Sequence, residues 1–359
     1  MKRNRTLAAV LGVSVSALVL AGCGSSEEPT TTDTGSTEGG DEISVGFSLK
    51  TQEAPFFVAI GEGIKRYGEE KGWEVTVLDA NNDVQKEAAN LETFTSQGMD
   101  AIFIDPIEPD AALPSIALAD AEGIPVIAVD NAAAEGAKII TNVYANNPEN
   151  ARLVGMAYAE ANTDAIKGIM ISGSKVDLGS LQRRTGLIAG IIEYRLGLSV
   201  EDSWAKAEDL EQELKDTGST SYPDASLEIV AQGFGDWSED GGLQATEDLI
   251  TAHPDITTVF GENDDMLFGA MTALANAQMD DVDIVAAADG AQRALDLIAE
   301  GKYFATGLNS PDLIAETAVN IAAEILSGEK TADDFPFVTL TEPAAITKDN
   351  VAEFAGRGF

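Results

Sequence analysis

The chain is poor in the residues that carry covalent and metal chemistry, with one cysteine and one histidine in 359 residues. A lone Cys23 leaves nothing for a disulfide, a zinc-thiolate site or a thiol nucleophile in the body of the chain. His253 directly precedes Pro254 at an expected helix end. A cap or loop role suits it better than catalysis there, and neither a nucleophilic triad nor a metal cluster can be assembled. Basic residues are scarce as well, 22 Lys and Arg against 61 Asp and Glu, for a formal net charge of -39. Binding a phosphate backbone needs clusters of Lys and Arg that are missing, so nucleic acid is excluded as a partner. Anionic lipid headgroups would be repelled too. No G-x-G-x-x-G follows the first expected strand, where "VGFSLKTQEAPFF" stands instead, which removes a dinucleotide-dependent enzyme.

What is present begins with an export signal. Lys2, Arg3 and Arg5 precede an apolar run from Leu7 to Leu20, shorter than the roughly 20 residues a bilayer core requires. Ala21 and Gly22 supply small side chains next to a cleavage point, so residues 1–22 are set aside as a signal peptide. Leu20-Ala21-Gly22-Cys23 resembles the lipobox of bacterial lipoproteins. That resemblance implies lipid on the Cys23 sulfur and anchorage at the outer face of the cytoplasmic membrane. Residues 23–42 continue as Gly, Ser, Thr and acid, which cannot bury enough surface to offset ordering entropy and read as a disordered acidic tether. The acid surplus fits either an ordinary solubilising surface or a saline habitat, where self-repulsion is screened.

From residue 43 onward short apolar runs alternate with longer amphipathic ones. Strands are expected at 43–49, 74–80, 101–106 and 125–130, and again at 168–173, 227–234, 257–263, 283–289 and 304–309. Helical spacing occupies 56–71, 84–97 and 110–122, then 179–194, 238–252, 264–278, 291–300 and 311–327. Strand-helix-strand units of this length demand parallel right-handed crossovers. The length exceeds what one core usually serves, so the fold class is α/β, two doubly wound lobes. Residues 197–226 break the rhythm. Trp204, Ala207, Leu210 and Leu214 share one face of an acidic helix there, expected to dock by that stripe, and "TGSTSYPDAS" reads as a loop.

In such sheets ligands gather beyond the carboxyl ends of the strands. Asp105, Asp130, Asn263, Asp289 and Asn309 stand at those ends. Any one of them alone is as readily a helix cap or turn former; five across two lobes suggest a site. Carboxylates and amides suit the hydroxyls of a polyhydroxy ligand, and Arg183 in "LQRRTG" supplies fixed donors. Aromatic faces for its C–H surface are available from Phe56, Phe57 and Trp237, although core packing also accounts for the two Phe.

These residues resemble those of the type I periplasmic binding proteins, specifically the ribose-binding-like sugar receptors of ABC importers. The likeness runs through "PFF" (55–57), "LDANND" (78–83), "IDPIEPDA" (104–111), "IPVIAVD" (124–130), "TAHPDITTVFGENDDMLFGAM" (251–271), "AADG" (287–290) and "LNSPD" (308–312). It implies that Phe56 and Trp237 stack on a sugar while Asp105, Asp130, Arg183, Asn263, Asp289 and Asn309 bind its hydroxyls. It also implies a hinge of three crossings, with 43–145 and 310–338 in the N-terminal lobe and 146–309 and 339–359 in the C-terminal lobe. Asn131 stands where an arginine usually follows the aspartate, Ala54 replaces a common asparagine, and Ala288 replaces an aromatic. A wider, more acidic pocket points away from ribose toward a hexose, polyol, inositol or amino sugar. The function expected is a monomeric solute-binding lipoprotein with no cofactor, no metal and no enzymatic activity. It would close on a monosaccharide or polyol and be read by an ABC permease and its ATPase subunit. A nucleoside or autoinducer ligand, or a chemosensory receptor role, is the alternative. A glycosidase using Asp105 and Asp130 ranks below it, because both would sit in one lobe among other sugar-holding groups.

Overall fold

The computed structural model describes residues 43–359; the signal peptide, Cys23 and the tether lie outside the described residues. Among the described residues, thirteen strands form two sheets and ten α-helices pack on them. Strands β1 (Ser44–Leu49), β2 (Glu74–Asp79), β3 (Ala101–Ile104), β4 (Val126–Val129), β5 (Asn142–Ala145) and β12 (Val338–Thr341) make one, ordered β12-β5-β4-β3-β1-β2 with every pair parallel. The other is ordered β13-β11-β10-β9-β6-β8-β7, from β6 (Ile166–Ser172), β7 (Thr220–Tyr222), β8 (Leu227–Phe234), β9 (Thr258–Gly261), β10 (Asp283–Ala286), β11 (Ala305–Gly307) and β13 (Ala345–Thr347). Only its two edge strands, β7 and β13, run antiparallel. Strands such as "AIFI" and "VIAV" are buried at every position because helices cover both faces of a parallel sheet.

Helices α1 (Pro55–Glu70), α2 (Val84–Gln97), α3 (Leu113–Ala121) and α10 (Pro311–Leu326) serve the first sheet. Helices α4 (Asn147–Ala161), α5 (Leu178–Leu196), α6 (Val200–Thr217), α7 (Glu239–Ala252), α8 (Asp264–Asn276) and α9 (Gln292–Glu300) serve the second. The chain passes between sheets three times, after β5, after β11 and after β12. Pairing of β12 with β5 extends to Thr341, so the third crossing falls beyond the boundary expected at 338/339.

Two differences from the sequence expectation have physical causes. The segment 131–167, left unassigned, holds β5 and α4; "NVYA" is short and led by a buried Asn142 whose side chain binds Ala133 N and Phe337 O, which hides it as a strand. The loop expected after α6 contains β7, held only as an edge against β8. The α6 stripe docks as expected, with Ala207, Leu210 and Leu214 in a core cluster and Trp204 packed on its border. Close approach of α4 to α5 depends on glycine, since a Cβ on Gly190 would lie 2.0 Å from Arg152 O and one on Gly155 2.2 Å from Leu187 O. That contact sets Asn147, at the start of α4, beside Arg183 on α5.

Candidate functional site

The carboxyl ends of β3 and β4 carry the first group. Asp105 is fully buried; its Oδ1 accepts from Asn131 Nδ2 at 2.8 Å, and its Oδ2 has no partner among the described residues. Asp130 is half-buried and left-handed at φ 59, a conformation that Asp tolerates better than most residues. Burial pushes the Asp105 carboxyl well above the usual range, and the charge of Asp130 adds to it. Asp130 is itself pushed up to about 6 by burial, against the opposing pull of Lys50 and Arg183, with Asp289 pushing in the same direction as burial. Arg183 and Asp289 belong to the other lobe. The Asp130 carboxyl therefore lies within electrostatic reach of side chains of the other lobe.

The second lobe supplies a tighter cluster. Arg183 is 7% exposed; its Nη1 donates to Glu262 O and to Asp289 Oδ1, both at 2.9 Å, and its Nε to Asn147 Oδ1 at 3.1 Å. Among the described residues Nη2 makes no hydrogen bond, which leaves one edge of the guanidinium for another acceptor. Asn309 Nδ2 donates to Asp289 Oδ1 at 3.3 Å, while Asn309 Oδ1 is buried without a partner. The Trp237 ring lies over Gly173, where a Cβ would come within 2.1 Å of the indole, and its centroid is 5.4 Å from the Arg183 guanidinium carbon.

Several expected residues are already engaged within the fold. Asn263 is the N-cap of α8, its Oδ1 accepting from Met266 N at 3.1 Å, and its Nδ2 reaches the Trp237 carbonyl at 3.4 Å. Asn131 commits its amide nitrogen to Asp105. Phe56 packs edge-on against Phe57 at 5.7 Å and against Phe359 at 5.3 Å, and both phenylalanines border the first core. Phe359 in turn packs on the second lobe's core, so the Phe56 ring meets the opposite lobe through it. His253 is the C-cap residue of α7, away from this cluster in sequence and element.

Several residues that the sequence reading passed over support the cluster. Lys50, at the end of β1, pulls on both Asp105 and Asp130. Asp264, fully buried, accepts from Gly290 N, Ala291 N and Tyr303 Oη and so fixes the turn beside Asp289; burial and the Asp289 charge push it up to about 6. Glu262 lies beneath Arg183. The acid run in "GENDD" was the available signal, since buried acids immediately after a strand need partners.

A hollow of about 1150 Å³ lies elsewhere, at the opposite ends of β10 and β11 among Met271, Leu274, Asp283, Phe304 and Lys348, and holds none of the expected site residues. No unpartnered buried side-chain atom among the described residues belongs to it, whereas the inter-lobe group has two, Asp105 Oδ2 and Asn309 Oδ1, one from each lobe. Buried polar atoms are nearly always paired, so the inter-lobe group is the stronger site.

Comparison with known proteins bears on the fold and the family. Residues 45–330 match the periplasmic binding protein domain model. The chain is 29% identical over 289 residues to the ribose import binding protein of Bacillus subtilis, covering 80% of this chain and 83% of that one. It is likewise 29% identical over 291 residues to a xylitol-binding protein of Mycolicibacterium smegmatis, covering 81% and 73%. A Mycobacterium smegmatis ABC transporter solute-binding protein, solved with bound glycerol, superposes with a TM-score of 0.69 at 30% identity, over 88% of this chain and 98% of that one. With two mostly parallel sheets joined by three crossings and a domain match that spans residues 45–330, the chain belongs to the periplasmic binding protein family, on its ribose-binding-like branch.

Proposed function

We propose that this protein is the exported receptor of an ABC-type importer and captures a neutral monosaccharide or polyol between its lobes. The observation that carries the reading is that two of the four unpartnered buried side-chain oxygens among the described residues, Asp105 Oδ2 and Asn309 Oδ1, stand just past strand ends of opposite lobes. Sugar hydroxyls are donors as well as acceptors and complete both. The ribose and xylitol relatives and the glycerol-bound neighbour support the class. Asp105, Asp130 and Asn131 form the N-terminal half of the pocket, and Arg183, Asp289 and Asn309 the C-terminal half. Trp237 and Phe56 supply the aromatic faces, with Phe57 behind Phe56 and Asn263 holding the Trp237 loop. Contacts to both halves exist together only when the lobes close, so ligand shifts the population toward the closed form. A permease reads that form and its ATPase drives release. The protein acts as a monomer, and Cys23 carries the lipid that holds it at the outer face of the cytoplasmic membrane.

Holding rather than cleaving is favoured because Asp105 and Asp130 stand on adjacent strands of one sheet, with Asp105 already bonded to Asn131. Thermal-shift titration across pentoses, hexoses, polyols, inositols and amino sugars tests the class. A true ligand raises the melting temperature further as its concentration climbs above Kd. No response to any of them, with a response to nucleosides, would replace the sugar reading. Cys23→Ser should move the protein from the membrane fraction to the soluble one, and continued membrane association would remove the anchor.

A further inference from the structure

The α6 helix is docked by an apolar stripe, yet it also carries an acid inward. Glu211 is 3% exposed and its Oε1 accepts from Arg184 Nε at 3.0 Å and Nη2 at 2.7 Å. Arg184 is 1% exposed; its Nη1 donates to Glu262 Oε1 at 2.7 Å and to Ser174 O at 2.8 Å. The other oxygen of Glu262 accepts from Gly173 N at 2.7 Å and Ser180 Oγ at 2.5 Å, and Ser180 Oγ accepts from Ser174 N at 2.9 Å. Glu262 thus anchors the Gly173–Ser180 loop on which Trp237 rests, and its own carbonyl holds Arg183. One buried chain runs from the surface insertion to two of the groups assigned to the ligand.

Docking alone does not need this chain, because Ala207, Leu210 and Leu214 already bury the face. A buried guanidinium between carboxylates adds little stability over apolar packing, and what it supplies is geometry. From this we infer that Glu211 is a positioning residue for the binding cleft: the 197–226 insertion sets the Gly173–Ser180 loop, and through it Trp237 and Arg183, by holding Arg184 against Glu262. Without Glu211, Arg184 turns its free N–H groups onto Glu262 and competes with Gly173 N and Ser180 Oγ for the oxygen they share. The loop loses its anchor while the Arg184–Glu262 pair keeps its charge balance.

This inference rests on the receptor reading, and its test separates the two. Glu211→Leu replaces the acid by an apolar side chain of similar size, Glu211→Gln keeps an oxygen that accepts both N–H groups, and Leu214→Ala weakens the docking of α6 without touching the chain of bonds. Ligand affinity is measured by calorimetry with whichever of D-ribose, xylitol, D-allose and myo-inositol binds the unaltered protein most tightly. Amide hydrogen exchange across residues 173–180 is measured without ligand. Glu211→Leu should weaken binding by tenfold or more and speed exchange in the loop, Glu211→Gln should recover most of both, and Leu214→Ala should lower the melting temperature while leaving both unchanged. Wild-type affinity and exchange in Glu211→Leu overturns the inference, as does an equal effect from Leu214→Ala. Should none of the four probes bind the unaltered protein, the receptor reading loses its support for those ligands, and the exchange measurement alone decides the role of Glu211.

Discussion

Asp130 combines a left-handed backbone, partial burial and a carboxyl pushed up to about 6, a set of costs that persists where function requires it. An acid with a folded pKa above its unfolded value near 3.8 binds its proton more tightly when folded, so its contribution favours folding at low pH and is lost as pH rises through about 6. Asp130→Asn keeps the shape and tolerates the same backbone conformation. It should therefore make the ligand-free protein more stable by about 1–2 kcal/mol at pH 7.5 and by little at pH 4. Denaturant melts at the two pH values decide this, and a gain that is the same at both would remove the assigned cause. Across the cleft, Arg183→Ala and Asp289→Ala should each fold yet weaken ligand binding by a hundredfold or so, because a sugar hydroxyl is left unpaired where little water reaches. Calorimetry showing native affinity in either would strike it from the site. These strand-end residues were readable because a buried parallel strand followed within a few residues by Asp or Asn announces its end. Glu262, Arg184 and Asp264 were not: a second arginine on a helix and acids after a strand read as surface until tertiary packing supplies their partners.

The long, strongly patterned elements follow the sequence closely, α2 at Val84–Gln97 between Asp83 as N-cap and Gly98 as left-handed C-cap among them. The missed elements are those whose identity depends on neighbours. Strand β12, "VTLT", is partly exposed and exists by pairing with β5; β13 is three residues long; α4 begins at "NP" and buries small residues, so its apolar stripe is faint. That faintness has a structural use, for Gly155 on α4 and Gly186 and Gly190 on α5 let the helix backbones touch. Gly190→Ala would place a methyl group 2.0 Å from Arg152 O and 2.8 Å from Met156 N, both in the α4 backbone, so the helices must part. The expected cost is about 1–3 kcal/mol from overpacking, together with weaker ligand binding, since Asn147 on α4 no longer reaches Arg183. Chemical denaturation and calorimetry on the same variant read the two effects. Loss of stability with unchanged affinity would show that α4 does not position Arg183.

A formal charge of -39 acts on the molecule as a whole. Closing two acidic lobes brings like charges together, and their repulsion reaches over a screening length of roughly 10 Å at about 0.1 M salt but only about 3 Å at 1 M. Salt therefore lowers the free energy of the closed form more than that of the open one. For an uncharged ligand, whose own contacts are short-range hydrogen bonds, the closure proposed above makes that difference appear directly as affinity. The expected result is tighter binding of a neutral sugar or polyol in 1 M KCl than in 0.05 M. This is opposite in sign to the behaviour of a cationic ligand drawn in by Asp105 and Asp130, whose attraction salt would screen. Calorimetry at the two salt concentrations with one neutral ligand and its amino-substituted analogue distinguishes them. If the neutral ligand binds more weakly in high salt, local attraction across the cleft, such as that of Arg183 for Asp130, outweighs the long-range repulsion, and the acid surface has no part in governing closure.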